Sequence, residues 1–499
     1  MKKQVQANAI PFMHPGLRVT IMGLGAFGGG VAAARYLCLH GCRVSITDLR
    51  QESELQQSID SLADVPIEQM AFGEHPQAFF DDCDLLVVNP AVKPDNALVQ
   101  RSVSRGATIT TEIELFLQQN PARVIAVTGT NGKSTTSALI HRILQGHFQQ
   151  ESAATRSTDV PHVWLGGNIG VSLLPELPHI RERDWVILEL SSFQLEQLRK
   201  NRFRPDIAVI TNFSPNHLDW HETMEAYHAA KQGLLDAQRG DDIAIVPDDF
   251  NEDAQCVPPW RVRAKRFTFG LTDTSEDGAF LQDGMLILRQ SSGTSGTTME
   301  DSVRFQMPPQ LPGRHNEQNV AAACAAAWLA GANSAFFSRA IHTFQPLPHR
   351  LQLVAVRNER RFYNDSIATT PESAIQALRV FSGRVILLAG GYDKKQDLRT
   401  LAAEIASRAA VVVLMGQTAP ILQALIEDQI TRCARQDTLK IRTGADFQDS
   451  FAKAVELSGP GDIVLLSPGC ASYGWFRDYR DRGDQFIALA NTWHANDNS

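Results

Sequence analysis

The stretch that most constrains this chain is AVTGTNGKSTTS, Ala126 to Ser137. An apolar run (RVIAV) leads into a turn with two glycines, and a lysine and hydroxyl residues follow where a helix should begin. A strand, a glycine turn and a helix N-terminus together present backbone amides and a positive dipole end to phosphate. The common phosphate-binding loop, G-x-x-x-x-G-K-[ST], needs glycine at position 127, and this chain has Val127. Here Gly129 and Gly132 enclose only Thr130 and Asn131, so the loop is compressed. Lys133 is expected to reach the outer phosphates of a nucleotide, and Ser134 or Thr135 to offer a hydroxyl to Mg²⁺. The bland alternative is a Gly-Asn turn with an exposed lysine. Strand, turn and helix all being in place speaks against it.

Other apolar runs repeat the pattern. WVILELSS, DIAVITN and DIAIVPDD each end in polar residues, as buried parallel strands do. Near the start, LRVTIMGLGAFGGG followed by an Ala-rich stretch and RVSITD reads as strand, Gly23-x-Gly25-x-x-Gly28 turn, helix and strand. That order is a dinucleotide-type βαβ unit, and Asp48 closes it. DLLVVNP and ATITTEIELF read as further strands there. Beyond Leu347, GRVILLAGG, AVVVLMG and GDIVLLSPG alternate with helical stretches. The expectation is an α/β protein of three domains in series over 1–111, 112–346 and 347–499, with Rossmann-like ends and a central P-loop-type ATPase domain. The polar stretches QQESAATRSTDV and RQSSGTSGTTMEDS read as surface loops.

Composition excludes several classes. A net charge of −8 argues against a nucleic-acid protein, whose phosphate contacts need concentrated Lys and Arg. Seven scattered cysteines fit reduced thiols rather than a disulfide framework. MKKQVQANAIPFMHPG lacks the apolar run of a signal peptide, and no window approaches about 18 apolar residues. A cytoplasmic protein without a membrane span is expected.

Three residues then need a reason. Glu189 sits inside an apolar strand, where a carboxylate must be paired or bound to metal. A structural ion pair is one answer. Beside a phosphate loop, a Mg²⁺ ligand is the better one. His217 follows the end of the next strand in VITNFSPNHLDW. Lys231 falls on the helix face that carries Met224, Tyr227, Leu234 and Leu235. A lysine turned inward should lose its proton or find a partner, unless it snorkels to solvent.

GTNGKST, GGNIG, ELSSFQLE, NHLD…AAK, HNEQN, LPHR, NDS, AGGYDK and LLSPGCAS occur in the order found in the Mur ligases, from Gly23 to about Gly483. The chain resembles that family, and the short loop is shared with its folylpolyglutamate synthetase relatives. The resemblance implies an ATP-dependent ligase that joins glutamate to UDP-N-acetylmuramoyl-L-alanine. It places ATP on Gly129, Thr130, Asn131, Gly132, Lys133, Ser134, Thr135 and Thr136, and on Asn316, Asn319, Arg350 and Asp365. Ser134 and Glu189 would hold one Mg²⁺; His217 and a carbamylated Lys231 would hold a second. Asn168 would contact the acceptor and phosphate region. Gly25, Asp48 and Arg50 would bind the UDP-sugar, and Thr369, Lys394, Ser472 and the Tyr479 backbone the glutamate. A monomer is expected.

Some positions depart from the family's usual pattern. Ile367 and Thr370 replace the lysine and second asparagine of NDSKATN, and Tyr473 replaces a leucine. Phe27 stands where threonine is usual, and Asn89-Pro90-Ala91 replaces SPG. The expected amino acid is D-glutamate, with an L-glutamate-adding variant as the alternative. A catalytically silent nucleotide-binding regulator would have no use for Lys133, Glu189, His217 and Lys231 together.

Overall fold

The computed structural model describes residues 13–25, 28–157, 159–169, 172–199, 203–214, 216–249, 258–291, 298–304, 306–308, 310–345, 347–393, 396–432 and 439–493. Phe27 and Lys394 therefore lie outside the described residues. The chain forms two compact units, one of Met1–Gln306 with His315–Phe344, the other of Met307–Arg314 with Gln345–Ser499.

The first unit holds two sheets. In the first, five parallel strands run in the order Gln69–Phe72, Arg43–Asp48, Arg18–Met22, Leu85–Val88, Thr108–Thr110. This is the doubly wound order, with the switch point beside the central strand Arg18–Met22. The glycine turn after that strand behaves as read from sequence. Gly25 and Gly28 adopt φ values of 74° and 86°, and a side chain on Gly30 would meet the Leu24 carbonyl oxygen at 2.2 Å. The helix Gly29–Leu39 thus lies against the turn because position 30 has no side chain.

The second sheet has nine strands, ordered Thr298–Arg304, Met285–Ser291, Gly278–Gln282, Lys265–Gly270, Ile243–Pro247, Ile207–Ile210, Arg123–Thr128, Trp185–Glu189, Val163–Gly167. The six strands from Lys265–Gly270 to Val163–Gly167 are parallel and hold the site. Gly278–Gln282, parallel to Lys265–Gly270, continues into an antiparallel meander through Met285–Ser291 and Thr298–Arg304. One apolar cluster runs through both sheets' domains, joining Leu24 and Ala33 to Ile113, Phe116, Leu173, Val186 and Leu188. Phe116 is wholly buried there, and burial of such a ring stabilises by about 1.5–3 kcal/mol.

The second unit is a six-stranded sheet, ordered Gln352–Arg357, Arg360–Asn364, Ile463–Leu466, Val385–Gly390, Ala409–Met415, Lys440–Thr443. Only its first pair is antiparallel among the described strands.

Local expectations need three corrections. EIELF is not strand: Thr111 caps a helix, Glu112–Gln119, by accepting from the Glu114 amide, after a strand of only Thr108–Thr110. QQESAAT is not loop: it is the last turns of the helix Lys133–Thr155, whose length outweighs the polar composition. Both flanks of RQSSGTSGTTMEDS are paired strands, with 292–297 outside the described residues.

Candidate active site

The loop of the opening motif joins the strand Arg123–Thr128 to the helix Lys133–Thr155. Gly132 caps the helix with φ 79°, and a side chain there would meet Asn319 Oδ1 at 2.2 Å. A side chain on Gly129, at φ 149°, would meet Thr211 Oγ1 at 1.9 Å. Both glycines are therefore required by close neighbours as well as by backbone conformation.

Those neighbours form a clamp that sequence reasoning missed. Thr211 Oγ1 donates to the Asn131 carbonyl (2.5 Å), and the Asn131 amide donates to Asn212 Oδ1 (2.9 Å). Thr130 Oγ1 lies 3.0 Å from the Tyr227 hydroxyl and 3.1 Å from the Ser214 carbonyl oxygen, to which it donates. Thr211 to Ser214 directly follow the strand Ile207–Ile210, whose pairing with the loop's own strand is not written in the sequence. Thr136, wholly buried, reaches Asn319 Oδ1 at 3.4 Å, and Asn319 Nδ2 donates to Asn316 Oδ1 at 3.3 Å. The structure thus brings Asn316 and Asn319 to the helix that starts at Lys133. Ser134 and Thr135 are buried in that helix's first turn.

Two lysine amines converge on one carbonyl oxygen. Lys133 Nζ donates to Gly129 O at 3.0 Å and Thr130 O at 2.7 Å; Lys231 Nζ donates to Gly129 O at 2.9 Å and Thr128 Oγ1 at 3.3 Å. Lys231 is 1 % exposed, on the helix Met224–Asp236, with its amine 4.7 Å from the centre of the Tyr227 ring. Snorkelling is ruled out by that burial. Burial first, and the neighbouring charge of Lys133 second, hold the Lys231 amine well below the ordinary lysine range. Such an amine gives up its proton more readily than an ordinary lysine, and among the described residues no carboxylate accepts from it.

Glu189 ends the strand Trp185–Glu189, in register with Val127 on one side and Gly167 on the other. It is 2 % exposed; Oε1 accepts from Asn168 Nδ2 at 2.9 Å, while Oε2 is buried with no hydrogen-bond partner. Among the described residues no ion pair to Glu189 is found, the alternative offered for it. A side chain at Gly167 would strike the Glu189 carbonyl oxygen at 2.3 Å, which fixes the turn that presents Asn168. A buried carboxylate oxygen without a donor fits a cation. Among the described residues no three His, Cys, Asp or Glu side chains converge. His217 adopts a left-handed φ of 55°, with its ring 4.8 Å from that of Phe193 and 6.3 Å from that of Tyr227.

In the first sheet's domain, Asp48 ends its strand 6 % exposed. It accepts from the Gly25 amide at 3.1 Å, the Arg50 amide at 3.0 Å and Arg50 Nη2 at 3.1 Å. Burial works to raise its pKa, but the hydrogen bonds from Arg50 and Gly25 together outweigh it and hold the carboxylate below its ordinary range. Gly25, Asp48 and Arg50 are thus one cluster. Asn89 packs on the same turn: a side chain on Gly23 would meet its Cβ at 2.8 Å.

The second unit carries the remaining residues. Asp365 accepts from Ser467 Oγ (2.7 Å) and the Leu351 amide (3.1 Å), and burial pushes its pKa up to about 7. Arg350 Nε is buried without a hydrogen-bond partner. Thr369 is half-buried on the loop after Asp365, and Ser472 is buried on the loop after the strand Ile463–Leu466. Thr370 caps the helix Pro371–Val380 by accepting from the Ser373 amide, a job asparagine also does. Tyr473 is 52 % exposed, edge-on to Tyr392 at 5.8 Å.

Three family models match the chain: the Mur ligase MurD-like N-terminal domain over residues 17–111, the Mur ligase middle domain over 127–327, and the Mur ligase glutamate ligase domain over 349–470. A protein of Roseiflexus sp. (strain RS-1) named UDP-N-acetylmuramoylalanine–D-glutamate ligase is 39 % identical, covering 96 % of this chain and 99 % of its own length. The Bacillus subtilis (strain 168) protein of the same name is 35 % identical over 93 % of this chain and 95 % of its own. Among solved structures, the MurF ligase of Thermotoga maritima in complex with ADP shares the fold, with TM-score 0.52 and 14 % identity over 98 % of both chains. The murein peptide ligase of Psychrobacter arcticus 273-4 does so with TM-score 0.52 and 18 % identity over 96 % of this chain and all of that one. The chain belongs to the Mur ligases, ATP-dependent enzymes that form amide bonds, with their three α/β domains in series.

Proposed function

We propose that this enzyme adds D-glutamate to UDP-N-acetylmuramoyl-L-alanine with cleavage of ATP to ADP and phosphate, a step of peptidoglycan precursor synthesis on which cell shape and division depend. The relatives at 30–39 % identity bear the name of the D-glutamate ligase, and nothing among them favours the L-glutamate variant. The observation that carries the chemistry is the pair of lysines on the Gly129 carbonyl beside the donorless oxygen of Glu189.

In this reading the domains run 1–111 for the UDP-sugar, 112–346 for ATP and 347–499 for glutamate. The loop amides from Gly129 to Thr136 cradle the phosphates, and Lys133 leaves its loop carbonyls for the γ-phosphate. Asn316, Asn319, Arg350 and Asp365 bind the nucleoside side. Gly25, Asp48 and Arg50 hold the uridine end of the acceptor, and Asn168 its reacting end. Ser134 with Glu189, and His217 with Lys231 in carbamylated form, are the groups that would hold two Mg²⁺ ions. The neutral Lys231 amine takes up CO₂ by forming a C–N bond and releasing one proton, which turns it into an anionic oxygen donor. Bound Mg²⁺ supplies charge neutralisation on the phosphate oxygens.

The acceptor carboxylate attacks the γ-phosphorus in line, giving an acyl phosphate and ADP. The glutamate amine then adds to the acyl carbon, and phosphate leaves from the tetrahedral intermediate. Lys133 follows the negative charge through the first step. Thr369, Lys394, Ser472 and the Tyr479 backbone hold the incoming amino acid. A cytoplasmic monomer is the expected form; no helix among the described residues is long and apolar enough to cross a membrane. Phosphate release with ATP, UDP-N-acetylmuramoyl-L-alanine and each glutamate enantiomer tests the proposal. Dominant use of L-glutamate would overturn the stereochemistry, and use of neither would overturn the ligase reading.

A further inference from the structure

Arg482 is the largest fully buried side chain described in the molecule. It sits in the first turn of the helix Tyr479–Thr492, inside a stretch, RDYRDRGDQF, that reads as a solvated charged face. Its guanidinium donates from Nε to Ser366 Oγ (2.9 Å), from Nη2 to the Ser366 carbonyl (2.8 Å) and from Nη1 to the Cys470 carbonyl (3.1 Å). Among the described residues no carboxylate accepts from it. A cation buried among neutral acceptors is expensive, and burial accordingly lowers its pKa to about 9. Fold stability alone is better served by an apolar side chain of that size.

Its three acceptors lie on two loops that leave adjacent parallel strands, Arg360–Asn364 and Ile463–Leu466. The loops are also laced directly, through the Gly469 amide to the Ala368 carbonyl (2.9 Å) and Ser467 Oγ to Asp365. Ser366 Oγ, while accepting from Arg482, donates to the Tyr479 carbonyl at 2.7 Å. The guanidinium therefore fixes Ser366, which fixes the Tyr479 carbonyl, and it fixes Cys470, two residues before Ser472. Thr369, Ser472 and the Tyr479 backbone are the described groups assigned above to the amino acid.

We propose that Arg482 is a positioning residue of the amino-acid site: its planar fork sets the spacing of the 365–369 and 467–472 loops, and its buried charge lends both loops the positive potential a dicarboxylate requires. The inference rests on the ligase reading. A lysine at this position keeps the charge that acts on Asp365 but loses the fork, so the loops lose their spacing while the charge around Asp365 stays.

Steady-state kinetics on the full chain test it, with ATP, the UDP-linked acceptor and D-glutamate varied in turn. Arg482→Lys should raise KM for glutamate about tenfold or more, equivalent to one lost charge-assisted hydrogen bond, with KM for ATP within about twofold of the parent. Ser366→Ala, which leaves the guanidinium in place, should raise KM for glutamate by a smaller factor in the same direction. If Arg482→Lys fails to fold, Ser366→Ala decides alone. Unchanged glutamate KM in the folded variants, or glutamate and ATP KM rising together, would overturn the positioning role. Absence of glutamate-dependent phosphate release in the parent enzyme would instead overturn the ligase reading.

Discussion

Replacing Lys231 by methionine should produce a stability gain that shrinks as pH rises. In the folded enzyme the pKa of the amine is lowered well below its ordinary value, first by burial and then by Lys133. In the unfolded chain it titrates near 10.4, like any lysine (~10.4). Between the depressed folded value and about 10.4 the unfolded state binds one more proton, so parent stability climbs by about 1.4 kcal/mol per pH unit. Below the folded value the destabilisation is complete and constant; above about 10.4 it is gone. Methionine matches the volume and carries no proton, so its advantage over the parent falls by the same slope. The two hydrogen bonds it gives up, to Thr128 and Gly129, cost about 1 kcal/mol each and do not vary with pH. For a domain of this size about 1.4 kcal/mol moves Tm by roughly 3–6 °C. Calorimetry of both proteins at a series of pH values up to about 10 in CO₂-free buffer, where no carbamate forms, reads the slope directly. Two Tm curves that stay parallel over the whole series would refute the lowered pKa of the buried amine.

Other outcomes follow from the same site. Lys133→Ala should lose about 10²-fold or more in turnover while remaining folded, checked by phosphate release, because the moving charge loses its partner. Lys231→Ala should be inactive, with partial rescue by formate or acetate supplying the missing oxygen ligand; no rescue at any concentration counts against the carbamate. Gly129→Ala should destabilise by about 2 kcal/mol or more, measured by denaturant unfolding, since its side chain would overlap Thr211 Oγ1.

The strands around the site were legible because buried parallel strands need uninterrupted apolar runs, and RVIAVTG, WVILELSS and DIAVITN supply them. Lys231 was legible for a similar reason: the helical period put it on a face with Tyr227 and Leu234, all of which are buried. The antiparallel meander was not, because its edge strand Thr298–Arg304 is largely exposed and carries no apolar alternation to announce it. Arg482 escaped because its acceptors are mainly backbone carbonyls, which have no sequence signature, and because its neighbours Arg480 and Asp484 do face solvent. The Thr211–Asn212 clamp depends on which strands become neighbours, and only the strand order gives that.

The contact between Gly132 and Asn319 also has a bearing on how such a sequence can change over generations. Asn319 Oδ1 occupies the space that a side chain at position 132 would need. The two positions are far apart in the chain, yet neither can drift alone: a larger residue at 132 is blocked until 319 shortens, and a shortened 319 leaves Thr136 without its described hydrogen-bond acceptor. A change at either position therefore weakens the packing of the nucleotide loop unless the other changes with it. Gly132 and Asn319 thus constrain each other as one unit, though nearly two hundred positions of chain lie between them.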